Sequence, residues 1–367
     1  MSRGRTLTAD DVRRLRTAAQ RLHRPERSSA AELVRHLTGV QSQVVTAAAL
    51  ALRARTEGLT GERITEERVR DRSIALTWAM RGTLHLITAE DYGWLVPMVL
   101  EPRVANANRR LREEGVTAEQ SIAAVRAIER MLERHGPLGG SEIGERLRRR
   151  GIRTEGQAIA HLLWLATARG VICHGPDRGR DQSFVLVRDW LGEPEPMERE
   201  AALVELAVRY LDAHGPAEPA DLASWSGVSV RDAKRAWTSI GGRLVEWSTP
   251  NGIRWSLRSR AEGAPRRSVR LVPAFDEYLL GWKDRETAVP SEHRKEVNRG
   301  GGWIRPVLLV DGWALGTWST TRTSKAVRLQ LRPFETLAPW IRRAIHREAD
   351  DLAEFLGVRV EPELAEP

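Results

Sequence analysis

Residues 73–87 read SIALTWAMRGTLHLI. Apolar and β-branched residues lie on both sides of Met80-Arg81-Gly82, so two strands joined by a turn are expected. What precedes this hairpin decides the fold. Residues 7–24 have amphipathic helical spacing and open with Thr8-Ala9-Asp10-Asp11, where the acids suit a helix N-terminus. Two more helices are expected over 29–37 and 44–56, and a short one over 64–72 after a turn at 58–61. Helices followed by a hairpin is the order of a winged helix-turn-helix unit. Thr88-Ala89-Glu90-Asp91 then starts another helix by capping-box logic.

The same order recurs twice. A helix over 123–134 ends in His135-Gly136-Pro137, and one over 201–213 ends in His214-Gly215-Pro216. Each is followed by a second helix (141–151; 219–227) and a third (157–169; 230–240). Each then runs into a strand, a Gly-containing turn and a strand, over 171–187 and 243–257. The second turn is Pro250-Asn251-Gly252, and the first has a basic tip at Arg178 and Arg180. Residues 192–196, GEPEP, read as a linker. Three such units suggest a tandem array.

From residue 268 the pattern turns to β. Strands are expected over 269–273, 304–310, 313–319 and 326–332, with a basic, Gly-rich loop over 293–302. Thr320-Thr321-Arg322-Thr323-Ser324-Lys325 is a second hairpin tip. A closing helix over 334–356 has Leu337, Ile341, Ile345 and Leu352 on one side. The acidic, Pro-containing tail is expected to fray. The fold class is therefore α+β: three winged-helix modules over 1–100, 101–192 and 197–258, and a β-rich domain over 259–367.

Composition narrows the function. The 367 residues are 41% hydrophobic and 29% charged, as in an ordinary globular protein. No apolar run is long enough to span a membrane, and the N-terminus lacks a signal-peptide core, so a cytoplasmic protein is expected. The net charge of +9 points to a polyanionic partner, DNA being the commonest. Almost all of it is Arg; Lys234, Lys283, Lys295 and Lys325 are the lysines. One cysteine, Cys173, and scattered histidines leave neither a disulfide nor a metal-ligand spacing. No phosphate-binding Gly loop and no GxSxG elbow is present. No metal or cofactor is expected.

The candidates for chemistry are few. Asp276 and Glu277 follow a strand end, either as an active-site pair or as an ordinary surface or salt-bridged pair. His85 either lines a pocket or sits in the core. Trp164, Trp237, Trp247 and Trp255 are placed like core residues. The hairpin tips at Arg178/Arg180 and Thr320–Lys325 mix charge and hydroxyls; the second suits phosphate bonding and insertion of Arg322 into a minor groove. Between two predicted helices stands Gly39-Val40-Gln41-Ser42-Gln43. In a regular helix, Gln41 and Gln43 would point about 200° apart. At an irregular joint their amides can converge, offering donors and acceptors without charge. They either cap and meet solvent, or hold a water or a base edge.

Three blocks carry a resemblance: Gly39–Gln43; TWAMRGTLHLITAEDYGW (77–94); and LVPAFDEYLLGWKDR (271–285) with IRPVLLVDGWALGTW (304–318). In order and over nearly the whole chain, they resemble the winged-helix family of bacterial DNA glycosylases typified by the AlkZ and YcaQ proteins. The resemblance implies three tandem winged helices, a β-rich C-terminal part, and a C-shaped molecule with a basic DNA cleft. The family signature is Gln, an aliphatic residue, then Gln or Asp. It carries over to Gln41 and Gln43 as catalytic residues, with Ser42 departing from the pattern. The Gln-Gln form resembles the AlkZ branch, associated with self-resistance to DNA-alkylating natural products.

The chemistry implied is hydrolysis of the N-glycosidic bond of an N7-alkylated purine, bulky and crosslinked adducts included, in duplex DNA. Such a base is cationic and leaves neutral, so the enzyme need only stabilise an oxocarbenium-like sugar and place a water. An amide has no pKa to act as a base near neutrality, but it can orient water. Few lysines favour a monofunctional enzyme. A bulky adduct resists rotation into a snug pocket. A hairpin pressed into the minor groove would avoid that, with Thr320–Lys325 leading and Arg178/Arg180 as a duplex contact. The expected state is a monomer. The alternative is a non-catalytic tandem winged-helix regulator, which would need polar base-reading helices; the third helices here read as apolar.

Overall fold

Local signals set the first helices. In the computed structural model, which describes residues 6–23, 27–179, 181–260 and 266–366, α1 (Ala9–Ala19) and α2 (Ala30–Leu37) each begin with a reciprocal capping box. Thr8 pairs with Asp11, and Ser29 pairs with Glu32. A two-residue strand, β1 (Val40–Gln41), leads into α3 (Val45–Arg53). The chain then continues through α4 (Gly61–Val69).

The first hairpin is β2 (Ile74–Trp78) and β3 (Leu84–Thr88), paired antiparallel from Ile74↔Thr88 to Trp78↔Leu84. Four helices follow: α5 (Tyr92–Leu100), α6 (Val104–Glu113), α7 (Ala118–His135) and, after the short β4 (Leu138–Gly139), α8 (Gly140–Arg148). Next come α9 (Ala158–Ala168), β5 (Ile172–Arg178), β6 (Asp181–Leu186) and the one-turn α10 (Val187–Trp190). The two hairpins do not stay apart as separate wings. Leu76 pairs with His174, so β3, β2, β5, β6 and β4 lie side by side in one sheet. Beneath it, Ile128, Leu132, Ile143, Leu162 and Leu186 form a continuous core.

The third repeat is α11 (Arg199–His214), α12 (Pro219–Ser226), α13 (Val230–Ser239) and the hairpin β7 (Leu244–Thr249) with β8 (Gly252–Leu257). The β-rich part holds β9 (Val269–Val272), the short α14 (Glu277–Leu280) and α15 (Arg294–Val297), then β10 (Val307–Val310), β11 (Trp313–Arg322) and β12 (Val327–Pro333). It closes with α16 (Pro339–Leu356), which starts later than expected because Pro339 takes the first helical turn. Leu337, Ile341, Ile345 and Leu352 all pack against the sheet.

The tail differs from expectation. Residues of β13 (Val360–Leu364) pair in parallel with β12, from Val327↔Val360 to Leu331↔Leu364. The free edge of β12 supplies the backbone partners, and Arg328 meets Glu363 at 2.8 Å. Pro362 is tolerated because β13 is itself the edge.

The chain divides into two compact units, one of Met1–Ile64 with Val204–Pro367 and one of Thr65–Leu203. No helix among the described residues is long and apolar enough to cross a membrane.

Candidate active site

The geometry around Gln41 begins with a forced turn. α2 ends at Thr38 with φ 61°, a left-handed conformation that is uncommon for a β-branched residue, and Gly39 follows at φ 118°. The chain is thus thrown from helix into the extended pair Val40–Gln41. Ser42 is fully buried and its hydroxyl donates to Val40 O at 2.9 Å, holding the bend before α3. Gln41 is buried at 8% exposure, whereas Gln43 is exposed. The two amides therefore stand in different solvent environments.

A second turn brings a carboxylate to this bend. Phe275 has φ 59°, another strained non-glycine, and it separates β9 from α14. Asp276 caps α14 through Tyr278 N, and its two oxygens each receive a guanidinium nitrogen of Arg55 at 2.8 Å. Both partners are fully buried, and Arg55 also donates to Gln20 Oε1 and Ala51 O. Glu277 turns the other way. Its Oε1 accepts the main-chain N–H of Gln41 at 2.7 Å, and its Oε2 accepts Trp225 Nε1 at 2.9 Å. Neither residue lies at the surface: Asp276 is salt-bridged, as one of the two expectations had it, and Glu277 is a buried acceptor.

The far end of α3 is fixed as firmly. Arg53 reaches Glu348 at 3.1 Å, Asp351 at 2.5 Å and Leu271 O at 3.0 Å. Glu348 also accepts from Leu271 N and Arg270. α3 is therefore tied to β9 and α16 at one end, and the bend before it is tied to α14.

His85 is fully buried. Burial first, and then the nearby Arg81 charge, push its pKa down to about 3, so the ring is neutral at ordinary pH. Its Nδ1 donates to Thr83 O at 2.9 Å, while Nε2 has no partner among the described residues.

The two basic hairpins differ. Residues 319–325 at the β11–β12 tip are all exposed. Thr323 closes the tip, donating N–H to Ala326 O at 2.8 Å and accepting Ala326 N on its hydroxyl at 3.0 Å. Thr320 and Thr321 pair with Leu329 and Arg328, and Ser324 lies in the turn itself. Among the described residues, Arg322 and Lys325 make no ion pair. Arg178 is instead engaged internally, 3.2 Å from Glu142 and 3.0 Å from Pro137 O. Arg180 lies outside the described residues.

Some features were not visible in sequence. Trp225, fully buried against Glu277, carried no signal. α13 exposes Arg231, Lys234, Arg235 and Thr238 while burying Ala233, Ala236 and Trp237, so it is amphipathic rather than apolar. Trp237 and Trp247 are core residues; Trp164 and Trp255 are half-buried.

The family model described as DNA glycosylase AlkZ-like matches residues 34–355. The chain belongs to the AlkZ-like DNA glycosylase family. Gln41, Gln43, Glu277 and the β11–β12 hairpin all fall inside the AlkZ-like match. The chain is 31% identical over 353 residues to a Streptomyces sahachiroi protein named interstrand DNA cross-link repair glycosylase, covering 90% of this chain and 91% of that protein. It is also similar to the solved structure of Streptomyces sahachiroi DNA glycosylase AlkZ. There the TM-score is 0.82 at 28% identity, over 98% of this chain and all of that one. As an AlkZ-like protein the chain is an enzyme of the DNA N-glycosylase class, with a mixed α+β fold.

Proposed function

We propose that this protein hydrolyses the N-glycosidic bond of N7-alkylated purines in duplex DNA, including bulky or crosslinked adducts, in repair or in self-resistance to a DNA-alkylating natural product. Gln41 and Gln43 hold the attacking water, and the cationic base leaves without prior protonation. The observation that carries this reading is the pinning of the Gln41 main chain by buried Glu277. A side chain that places a water needs a backbone that does not move. The name of the Streptomyces relative supports the crosslinked class of substrate. The exposed tip at Thr320–Lys325 presses into the minor groove beside the lesion, with Arg178, which gives up Glu142 to do so, and Arg180 as further duplex contacts. Three winged-helix modules over 1–100, 101–192 and 197–258 and a β-rich domain over 259–367 belong to the same reading.

The test is a duplex carrying N7-methylguanine or a bulky N7 adduct, followed by alkaline cleavage at abasic sites. Wild type is expected to generate them, and Gln41→Ala and Gln43→Ala to lose excision with DNA affinity kept. Full activity in both variants would overturn the site.

One observation favours a second reading. The exposed polar face of α13 is what a non-catalytic regulator would use to contact DNA. Binding without any new abasic site in wild type would favour it.

A further inference from the structure

An open cleft of about 420 Å³ lies where the start of α3 meets β9, β11 and β12. Its apolar floor includes Leu50 and Pro273, and its rim carries Arg299, Arg305 and Arg332. Several arginines of the same unit hold carboxylates, as Arg53, Arg55, Arg260 and Arg270 do. The cleft arginines do not. Among the described residues, none of their guanidinium groups has a hydrogen bond or ion pair, and no carboxylate lines the cleft. Arg299 and Arg332 are exposed and Arg305 is half-buried. Ser319 and Thr320 add hydroxyls where β11 enters the hairpin tip. The first turn of α3 also reaches the cleft, and Val44 gives its amides no side-chain cap.

Three like charges around one concavity repel each other unless an anion sits among them. Guanidinium forks match phosphate oxygens, and hydroxyls and helix N-terminal amides complete the set. We infer that this cleft clamps a backbone phosphodiester of the DNA duplex, a deepening that rests on the DNA-acting reading above. α3 begins two residues beyond Gln43. A phosphate held at its first turn therefore sets the distance from the strand to the two amides, and β11 on the same cleft sets where the tip enters.

The experiment measures binding of the full chain to an undamaged duplex by fluorescence anisotropy from about 50 to 200 mM salt. The variant is Arg305→Gln with Arg332→Gln. The expected result is a Kd higher by about 10-fold at low salt, and a slope of log affinity against log salt reduced by about 1–2. Arg294→Gln, at an arginine paired with Glu286 outside the cleft, should leave the slope unchanged. If the double variant does not fold, the exposed Arg332→Gln alone carries the test, with a slope change of about 1. A folded variant with wild-type Kd and slope overturns the inference. So does a melting-temperature rise specific to inorganic phosphate, lost in the variant while the DNA slope stays intact, which would assign a free-anion site. The duplex is undamaged, so the difference in slope between variant and wild type reports on the cleft arginines independently of excision. Failure of wild type to form abasic sites would overturn the glycosylase reading and leave this one standing.

Discussion

The main-chain N–H of Gln41 donates to Glu277 Oε1 at 2.7 Å across 236 positions of sequence. The acceptor is fully buried and also holds Trp225. A hydrogen bond to a buried charge is worth about 1.5–3 kcal/mol, enough to fix the strand that carries the first candidate amide. Glu277→Gln keeps an oxygen for one of the two N–H donors, Gln41 N or Trp225 Nε1, and turns an amide NH2 toward the other. Single-turnover excision should fall by about 10-fold, matching about 1.4 kcal/mol, with duplex affinity within about threefold. Unchanged excision in a folded variant would deny Glu277 this positioning role.

The two glutamines should separate by stability. Gln41 is buried and Gln43 is exposed. Gln41→Ala is expected to cost about 1–2 kcal/mol in urea unfolding, and Gln43→Ala less than about 0.5 kcal/mol. Equal losses would mean that the environments around the bend are not as different as described.

Asp276 and Arg55 form a bidentate pair with both side chains fully buried. Removing one partner strands the other charge, so Asp276→Asn should destabilise by about 3–5 kcal/mol. Replacing both, as Arg55→Met with Asp276→Leu, should recover much of that. A double variant as unstable as the single would show that the loss lies elsewhere than in the unpaired charge.

Stability should fall in mild acid. Burial pushes His85 and His214 down to about 3 and His174 to about 4, with Arg81 adding to the effect at His85 and Arg68 at His174. His174 packs on Trp78 and Phe184, and His214 stacks on Tyr210. Each folded pKa is below the unfolded value near 6.5, so the unfolded chain binds more protons below that pH. The contribution is full above about pH 6.5 and is lost as pH falls toward 4, at up to about 1.4 kcal/mol per histidine per pH unit. Urea midpoints at pH 7, 6 and 5 should decline steadily, and His174→Phe should flatten the decline by about a third. A level midpoint over that range would contradict neutral burial.

Deleting residues 358–366 should matter more than an acidic tail suggests. Without β13, the β12 edge is unpaired, and Val360 and Leu364 leave the core under α16. A lower melting temperature and concentration-dependent aggregation are expected. A deletion that melts like the full chain would show β13 to be dispensable.

Much of the fold was legible locally. Thr8 with Asp11 and Ser29 with Glu32 start helices within one turn of themselves. The Met80-Arg81-Gly82 and Asp311-Gly312 turns set their hairpins, and the spacing of Ile341, Ile345 and Leu352 marks the buried face of α16. Gln41 and Gln43 stand out in sequence as amides at a joint between helices, and Arg322 and Lys325 as charges at a hairpin tip. The merging of two hairpins at Leu76 and His174 was not legible, because a strand edge carries no residue code for its neighbour. Nor was β13, whose acidic and Pro-containing sequence argues against a strand until a free edge offers it backbone partners.

The sequence alone determined the capped helices, the repeated helix-and-hairpin order, the basic charge and the blocks that place the chain in its family. Each of these is written within a few neighbouring residues. Only the tertiary structure decided that Glu277 faces Gln41 while Asp276 faces Arg55, and that Arg299, Arg305 and Arg332 share one cleft with no carboxylate among the described residues lining it. Those relations join distant segments through two strained turns, at Thr38 and Phe275, and through burial. A one-dimensional pattern records the charge of such residues but not what they face.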